Sequence, residues 1–364
     1  MKKLNLIASA IVALGALSMV SCKNQDQKFP DFDYQTIYFA NQSPVQTITL
    51  GEDGEFDVTD DNLHRFTIYA TVGGINTNKK DRWVNYEIKP ELLKQVYFAD
   101  GTPVEALPAE YYEITSDKQR ITISKGEIMG GINIQLKDAF FNDPKSVGVN
   151  YVIPVLLTQG SDSILQGELK DGGHGNCVDP SDWNVQPKNF TLYGIKFKNP
   201  YDGAWLSRGK GKINGEDFIH EASSGYWEDE DTIHLVSKSL KSVVRNFSHA
   251  VPYVDASGVQ SETVISCNVI LNVADDGTVT CTTDTEGARV NGGGKYTYHG
   301  AGQAWGALQR DLFDVNYDYE ISYKANEVTG EIKTFHVVMT EKLVSRDRMN
   351  KFETFSYTVT PSNQ

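Results

Sequence analysis

The chain is punctuated by short runs in which every second residue is apolar, and a period of two admits strands and little else. Ile37 and Phe39, Ile48 and Leu50, Phe66 with Ile68, Ala70 and Val72, Val84 with Tyr86 and Ile88, Ile121 and Ile123, and Ile132 with Ile134 and Leu136 follow it. Glycine-bearing turns at 51–54, 73–74, 100–101 and 130–131 separate these runs. About seven short strands with turns between them is the pattern of an immunoglobulin-like β-sandwich, placed at residues 29–170. One short helix is expected at 90–96, opened by Pro90. The apolar run 151–157 contains Pro154, which cannot donate to a ladder, so that strand is expected at a sheet edge or a bulge.

Residues 171–188 have no apolar period and read as a linker rich in glycine and proline. From 189 to 364 strands are expected at 191–197, 205–213, 232–236, 263–273, 278–283, 317–323, 332–340 and 352–360, joined mostly by tight turns. That succession suits an up-and-down antiparallel β-barrel, and the whole chain is expected to be all-β. Gly203-Ala204-Trp205 has the Gly-x-Trp form that opens lipocalin-like (calycin) barrels. The resemblance implies a structural Trp205 plugging the closed end, with Arg346 or Arg348 over its ring.

The N-terminus sets the address. Lys2 and Lys3 precede an apolar stretch shorter than the roughly 18 to 20 residues a spanning helix needs, and small residues follow before Cys22. This reads as a lipoprotein signal peptide, 1–21, with Cys22 as the acylated residue and 22–28 as a polar tether. Two or more acyl chains give stable anchoring where one does not.

Tyr38-Phe39, Leu107-Pro108-Ala109-Glu110-Tyr111-Tyr112, Ile123-Ser124-Lys125-Gly126 and Tyr151-Val152-Ile153-Pro154-Val155 occur in order behind that leader. Over roughly 29–170 the chain resembles the N-terminal Ig-like module, a domain of unknown function, of Bacteroidota surface lipoproteins encoded with glycan-utilisation systems. The resemblance implies a spacer that lifts a downstream domain off the outer membrane, with no catalytic residues of its own. It also implies, as partners, an outer-membrane transporter and companion lipoproteins.

Of four cysteines, Cys22 is assigned to lipid, and the odd remainder argues against a disulfide framework. If Val273 pairs with Val279, Cys281 lies opposite Leu271, four residues or roughly 13 Å from Cys267. That is beyond disulfide reach, so two buried free thiols are expected.

The balance of 34 Lys and Arg against 48 Asp and Glu, moving from −14 to −16 when the leader takes Lys2 and Lys3 away, disfavours a nucleic acid partner. The usual catalytic signatures are missing: there is no Gly-x-Ser-x-Gly elbow and no phosphate loop, and His220-Glu221-Ala222-Ser223-Ser224 lacks the second histidine of a zinc protease. His174, Cys177 and Asp179 have no zinc spacing. No metal or cofactor is assigned. The run Glu228-Asp229-Glu230-Asp231 reads as a solvated turn, with calcium as the other reading.

Aromatic residues beside polar ones are the more informative class, because sugars stack flat C–H faces on rings while flanking groups bond their hydroxyls. Trp227 with Tyr226 and Asp229, Trp305 with Gln303, Tyr298 on one strand face with Tyr296, and Trp83 beside Asn85 and Glu87 are the candidate glycan-binding positions. The expected function is non-catalytic glycan capture at the cell surface by the lipid-anchored protein. A glycoside hydrolase, which needs only two carboxylates, and a structural or adhesive surface subunit are the alternatives.

Overall fold

The computed structural model describes residues 31–360, and the leader, Cys22 and tether lie outside them. The chain is all-β. In the first module a five-stranded sheet runs Ser163–Ile164, Thr36–Tyr38, Arg65–Gly73, Met129–Leu136, Tyr112–Ile114. It faces a second sheet ordered Glu353–Thr354, Pro44–Thr49, Phe190–Lys198, Tyr151–Gly160, Arg82–Ile88, Arg120–Ile123. The alternate residues noted above meet between them: Ile37, Ile48, Val84, Ile121, Ile132 and Val155 are fully buried. Each such side chain contributes about 1.5–3 kcal/mol relative to exposure. This is the expected sandwich.

Several local expectations change. The segment after Lys89 forms a single 3-10 turn, Pro90–Leu93. Tyr151–Gly160 is a central strand, not an edge. Pro154 is tolerated because Arg82–Ile88 gives out beside it, and its carbonyl still accepts from the Lys89 amide at 2.8 Å. Gly130 and Gly131 lie inside Met129–Leu136 rather than in a turn. A Cβ on Gly130 would stand 2.2 Å from the Thr122 carbonyl oxygen, so close strand approach explains the glycine.

The strand expected to open the second module, Phe190–Lys198, instead joins the first, between Pro44–Thr49 and Tyr151–Gly160. The last expected strand forms as two pieces, Glu353–Thr354 and Tyr357–Val359, which also pair with the first module. Residues 171–188 are held by a small hairpin of Glu168–Leu169 with Trp183–Val185, and Val178 is buried against Phe190 and Leu192.

The second module is a closed meander. Its strands run Gly203–Ile213, Glu216–His220, Asp231–Ser239, Ser242–Val254, Gln260–Val273, Thr278–Thr282, Ala288–Ala301, Arg310–Lys324 and Ile332–Asp347. The last pairs back with the first from Ala204 opposite Asp347 to Ile213 opposite Val337. Of these nine strands, Glu216–His220 and Asp231–Ser239 lie end to end along one edge of Gly203–Ile213, so the ring is eight strands around. Three of the nine strands were absent from the expected set: Glu216–His220, Ser242–Val254 and Ala288–Ala301, the last marked in the sequence only by the strand face given to Tyr296 and Tyr298. Ser242–Val254 turns Arg245 and His249 toward the interior and so spoils the alternation. Ala288–Ala301 contains Gly292, Gly293 and Gly294, where a Cβ would meet a neighbouring carbonyl oxygen within 2.1–2.4 Å.

Inside the ring Trp205 is buried, donates its indole N–H to the Tyr201 carbonyl at 3.0 Å and packs on Phe313. Gly203 precedes it at φ 149, with room for no side chain, since a Cβ would lie 2.5 Å from the Asp347 carbonyl oxygen. Among the described residues no arginine covers the Trp205 ring. Arg346 is the extra residue of a bulge opposite Ala204 and Trp205, and it stacks on Trp305 instead. Cys281 lies opposite Leu271 and Val273 opposite Val279, and Cys177, Cys267 and Cys281 are free thiols.

A buried polar group crosses the interior. Glu341 accepts from Ser207 Oγ at 2.6 Å, from Arg245 Nη2 at 3.2 Å and from the Tyr317 hydroxyl. Burial, and then the Glu341 charge, push the Tyr317 hydroxyl well above its ordinary pKa, so it stays a donor.

Arg348 joins the modules. It donates to the carbonyls of Asp202 (2.7 Å), Asn199 (2.7 Å), Leu50 (2.9 Å) and Glu52 (3.2 Å). Arg348→Ala leaves these acceptors without their donor and is expected to cost about 3 kcal/mol. In a thermal melt the Tm should fall by roughly 5–10 °C, with Arg348→Lys recovering only part of it.

Candidate functional site

The interruption between Glu216–His220 and Asp231–Ser239 expels residues 221–230 from the barrel wall. Glu230 closes the neck of this loop. Its carboxylate accepts from the Ala222 amide at 2.9 Å and from Arg208 Nε at 2.6 Å, and its side chain is 1% exposed. Arg208 also donates to the Gly225 carbonyl at 2.9 Å and lies over the Trp227 ring, its guanidinium carbon 4.3 Å from the centroid. Trp227–Asp229 form one 3-10 turn.

A second loop arrives from the far side of the closure. Gln303 (φ 48), Gly306 (φ 67) and Ala307 (φ 57) bend the chain sharply around the turn Trp305–Ala307. Arg310 Nε donates to the Trp305 carbonyl at 3.1 Å, and Arg346 covers the Trp305 ring at 4.7 Å while bonding Thr232 Oγ1 at 3.0 Å. Beneath both turns lie Leu206, Ala304 and Val344, fully or nearly buried, with Leu312 beside them. Trp227 and Trp305 therefore belong to one apolar patch on the outer wall of the barrel. Tyr226, the residue before Trp227, is 70% exposed, and Leu308, just after the other turn, is exposed as well.

Two of the seven candidate residues, Trp227 and Trp305, pack on this cluster, and three more, Tyr226, Asp229 and Gln303, lie within two residues of them in the chain. Asp229 and Gln303 are exposed, and among the described residues neither side chain has a hydrogen-bond partner. Trp83 sits apart on the first module, under Arg120 at 4.4 Å, with Arg120 Nε bonded to Asn85. Tyr298 does not share a face with Tyr296, because the register shifts after Thr297. Tyr296 turns inward onto Tyr201 and Phe313 and bonds Asp311 at 2.7 Å. Tyr298 reaches Glu52 of the first module at 2.5 Å, and that bond pushes its hydroxyl up to about 12.

The arginines were not anticipated: each of Trp83, Trp227 and Trp305 carries one on its face. No sequence signal marks them, since each comes from another strand. The acidic run is also divided. Glu230 is buried as described, while Glu228, Asp229 and Asp231 remain exposed. Among the described residues no group of three or more His, Cys, Asp or Glu side chains is placed to hold a metal ion. Cys177 packs partly buried beside Val178, and burial pushes its thiol up to about 11.

A sandwich carrying a closed meander barrel, with an arginine-backed aromatic patch on the barrel wall, defines the class. Two family models match the chain, one over each module's main stretch. Residues 32–164 match a model described as a "-like, N-terminal domain", and residues 200–358 match a domain of unknown function, DUF5627. A Bacteroides ovatus protein of unknown function, solved by structural genomics, is 33% identical, with 90% of this chain and 100% of that one covered and a TM-score of 0.73. The chain belongs to the family of that protein. Two further Bacteroides ovatus structures are more distant. One, of unknown function, is 13% identical over 88% of this chain and 99% of its own, with a TM-score of 0.42. The other, a multidomain protein including DUF1735, is 11% identical over 86% and 94%, with a TM-score of 0.40. No curated protein matches the chain.

Glu230 holds the ring-bearing loop, and removing one member of a largely buried ion pair costs about 3–5 kcal/mol. Glu230→Ala should therefore release residues 221–230, detected as at least roughly tenfold faster cleavage within the loop in limited proteolysis, with the barrel core left intact.

Proposed function

We propose that the protein is a cell-surface lipoprotein, anchored to the outer membrane through Cys22, that binds a glycan without catalysis. The carrying observation is that two loops distant in sequence bring Trp227 and Trp305 onto one apolar cluster, with exposed Tyr226, Asp229 and Gln303 flanking them in the chain. A sugar ring would stack on Tyr226 and on the indole edges, while the flanking amide and carboxylate orient hydroxyls. The arginines hold the indoles at fixed angles, so little ordering entropy is lost when a ligand arrives. The leader supports the address, and the first module, with the strand from Phe190 and the C-terminal pieces built into it, supports a spacer role. An outer-membrane transporter and companion lipoproteins are the partners this reading implies, and neither calcium nor any other cofactor is required.

Mature wild-type protein should be retained by at least one polysaccharide in affinity gels. Tyr226→Ala and the pair Trp227→Ala with Trp305→Ala should each weaken retention roughly tenfold or more, the loss expected for a stacking hot spot. Trp83→Ala should leave it unchanged. Undiminished retention in the double variant, or reducing sugar released from a glycan panel, would overturn the reading. The address has its own test: mass spectrometry of protein extracted from membranes should find the N-terminal cysteine, residue 22, acylated.

A further inference from the structure

The charges around the patch select among glycans. Each guanidinium there is already engaged. Arg208 is bonded to Glu230 and lies 3.6 Å from Glu221, Arg310 is bonded to the Trp305 carbonyl, and Arg346 holds Thr232 with Asp347 at 3.5 Å. The nearby Lys342 is paired with Asp314. By contrast, Glu228 and Asp229 follow the ring of Trp227 directly, stand exposed, and have no cationic partner among the described residues. Arg310 has no carboxylate partner but lies behind the other loop, on the Trp305 carbonyl, and Lys210, likewise without one, lies beyond Arg208 on its strand, opposite Ile219 and Thr340. A ligand on the turn at Trp227 therefore lies beside two unneutralised carboxylates, while the unpaired guanidinium of Arg310 belongs to the other loop.

Resting on the glycan reading above, we propose that this site takes uncharged glycans and rejects uronate-rich or sulfated ones, with the turn at Trp227–Asp229 as the selecting element. A bound uronate within about 8 Å of two exposed carboxylates is disfavoured by roughly fivefold at low salt, and successive uronates multiply the effect. The two arginines stacked on the indoles do not return that loss, because Arg208 and Arg346 would have to abandon Glu230 and Thr232 to pair with the ligand.

Affinity gels separate the outcomes, using a galactomannan, hydroxyethyl cellulose and an α-glucan as neutral probes and polygalacturonate as the anionic one. The expected result is retention by at least one neutral polymer, insensitive to sodium chloride between 50 and 500 mM, with polygalacturonate held about fivefold less or worse at 50 mM. Glu228→Lys, a change at an exposed position, should raise polygalacturonate binding at least about fivefold at low salt, and that gain should fade at 500 mM. Wild-type binding of polygalacturonate as tight as that of every neutral polymer would overturn the charge selection while leaving glycan binding intact. Preference for a neutral polymer with no response to Glu228→Lys would overturn the assignment to this turn. Retention by no polysaccharide would overturn both readings.

Discussion

The two modules are bridged by a largely desolvated cation. Arg348 follows the strand that closes the barrel, and its guanidinium is shared between carbonyls that end the first module's strands and carbonyls that lead into the barrel. Desolvation depresses its pKa, but the group stays charged, and the carbonyl dipoles converging on it offset the lost water. Gly51 is part of this arrangement. It has φ 89 and Pro200 3.0 Å from where a Cβ would be, so the first module's loop can approach the barrel only because no side chain intervenes. Tyr298 and His299 add a softer contact to Glu52 at the rim.

Most of the sandwich was legible because its strands have one face in the core and one toward water, the condition under which a period of two survives in sequence. The miss at Phe190–Lys198 follows from the failure of that condition. Ile195 and Phe197 face the main core while Phe190 and Leu192 face a second apolar cluster, so the strand is buried on both sides and carries no sign of which sheet it joins. The barrel was legible as a class, yet its membership was partly wrong. The missed strands carry polar residues inward or glycines for close packing, and the two displaced ones are recruited by contacts more than a hundred residues away.

The candidate patch was legible as residue types and not as geometry. Tryptophans followed by acids or glycines are visible in a string of letters; the arginines that lie on them are not, because Arg208 and Arg346 come from neighbouring strands across the closure. Those stacks change what the rings can offer. An indole face backed by a guanidinium gains cation–π stabilisation of about 0.5–2 kcal/mol and gives up its freedom to reorient. The patch is thereby a rigid edge, rather than a set of free aromatic plates.

The loop carrying Trp227 leaves the barrel from Glu216–His220 and rejoins it at Asp231–Ser239, both along the same edge of Gly203–Ile213. Insertions or deletions between those points alter no hydrogen-bond pairing elsewhere in the ring, because the register on either side is set independently. Such an excursion behaves as an interchangeable cassette. The scaffold tolerates a turn of different length or chemistry here at little cost to the pairing of the ring.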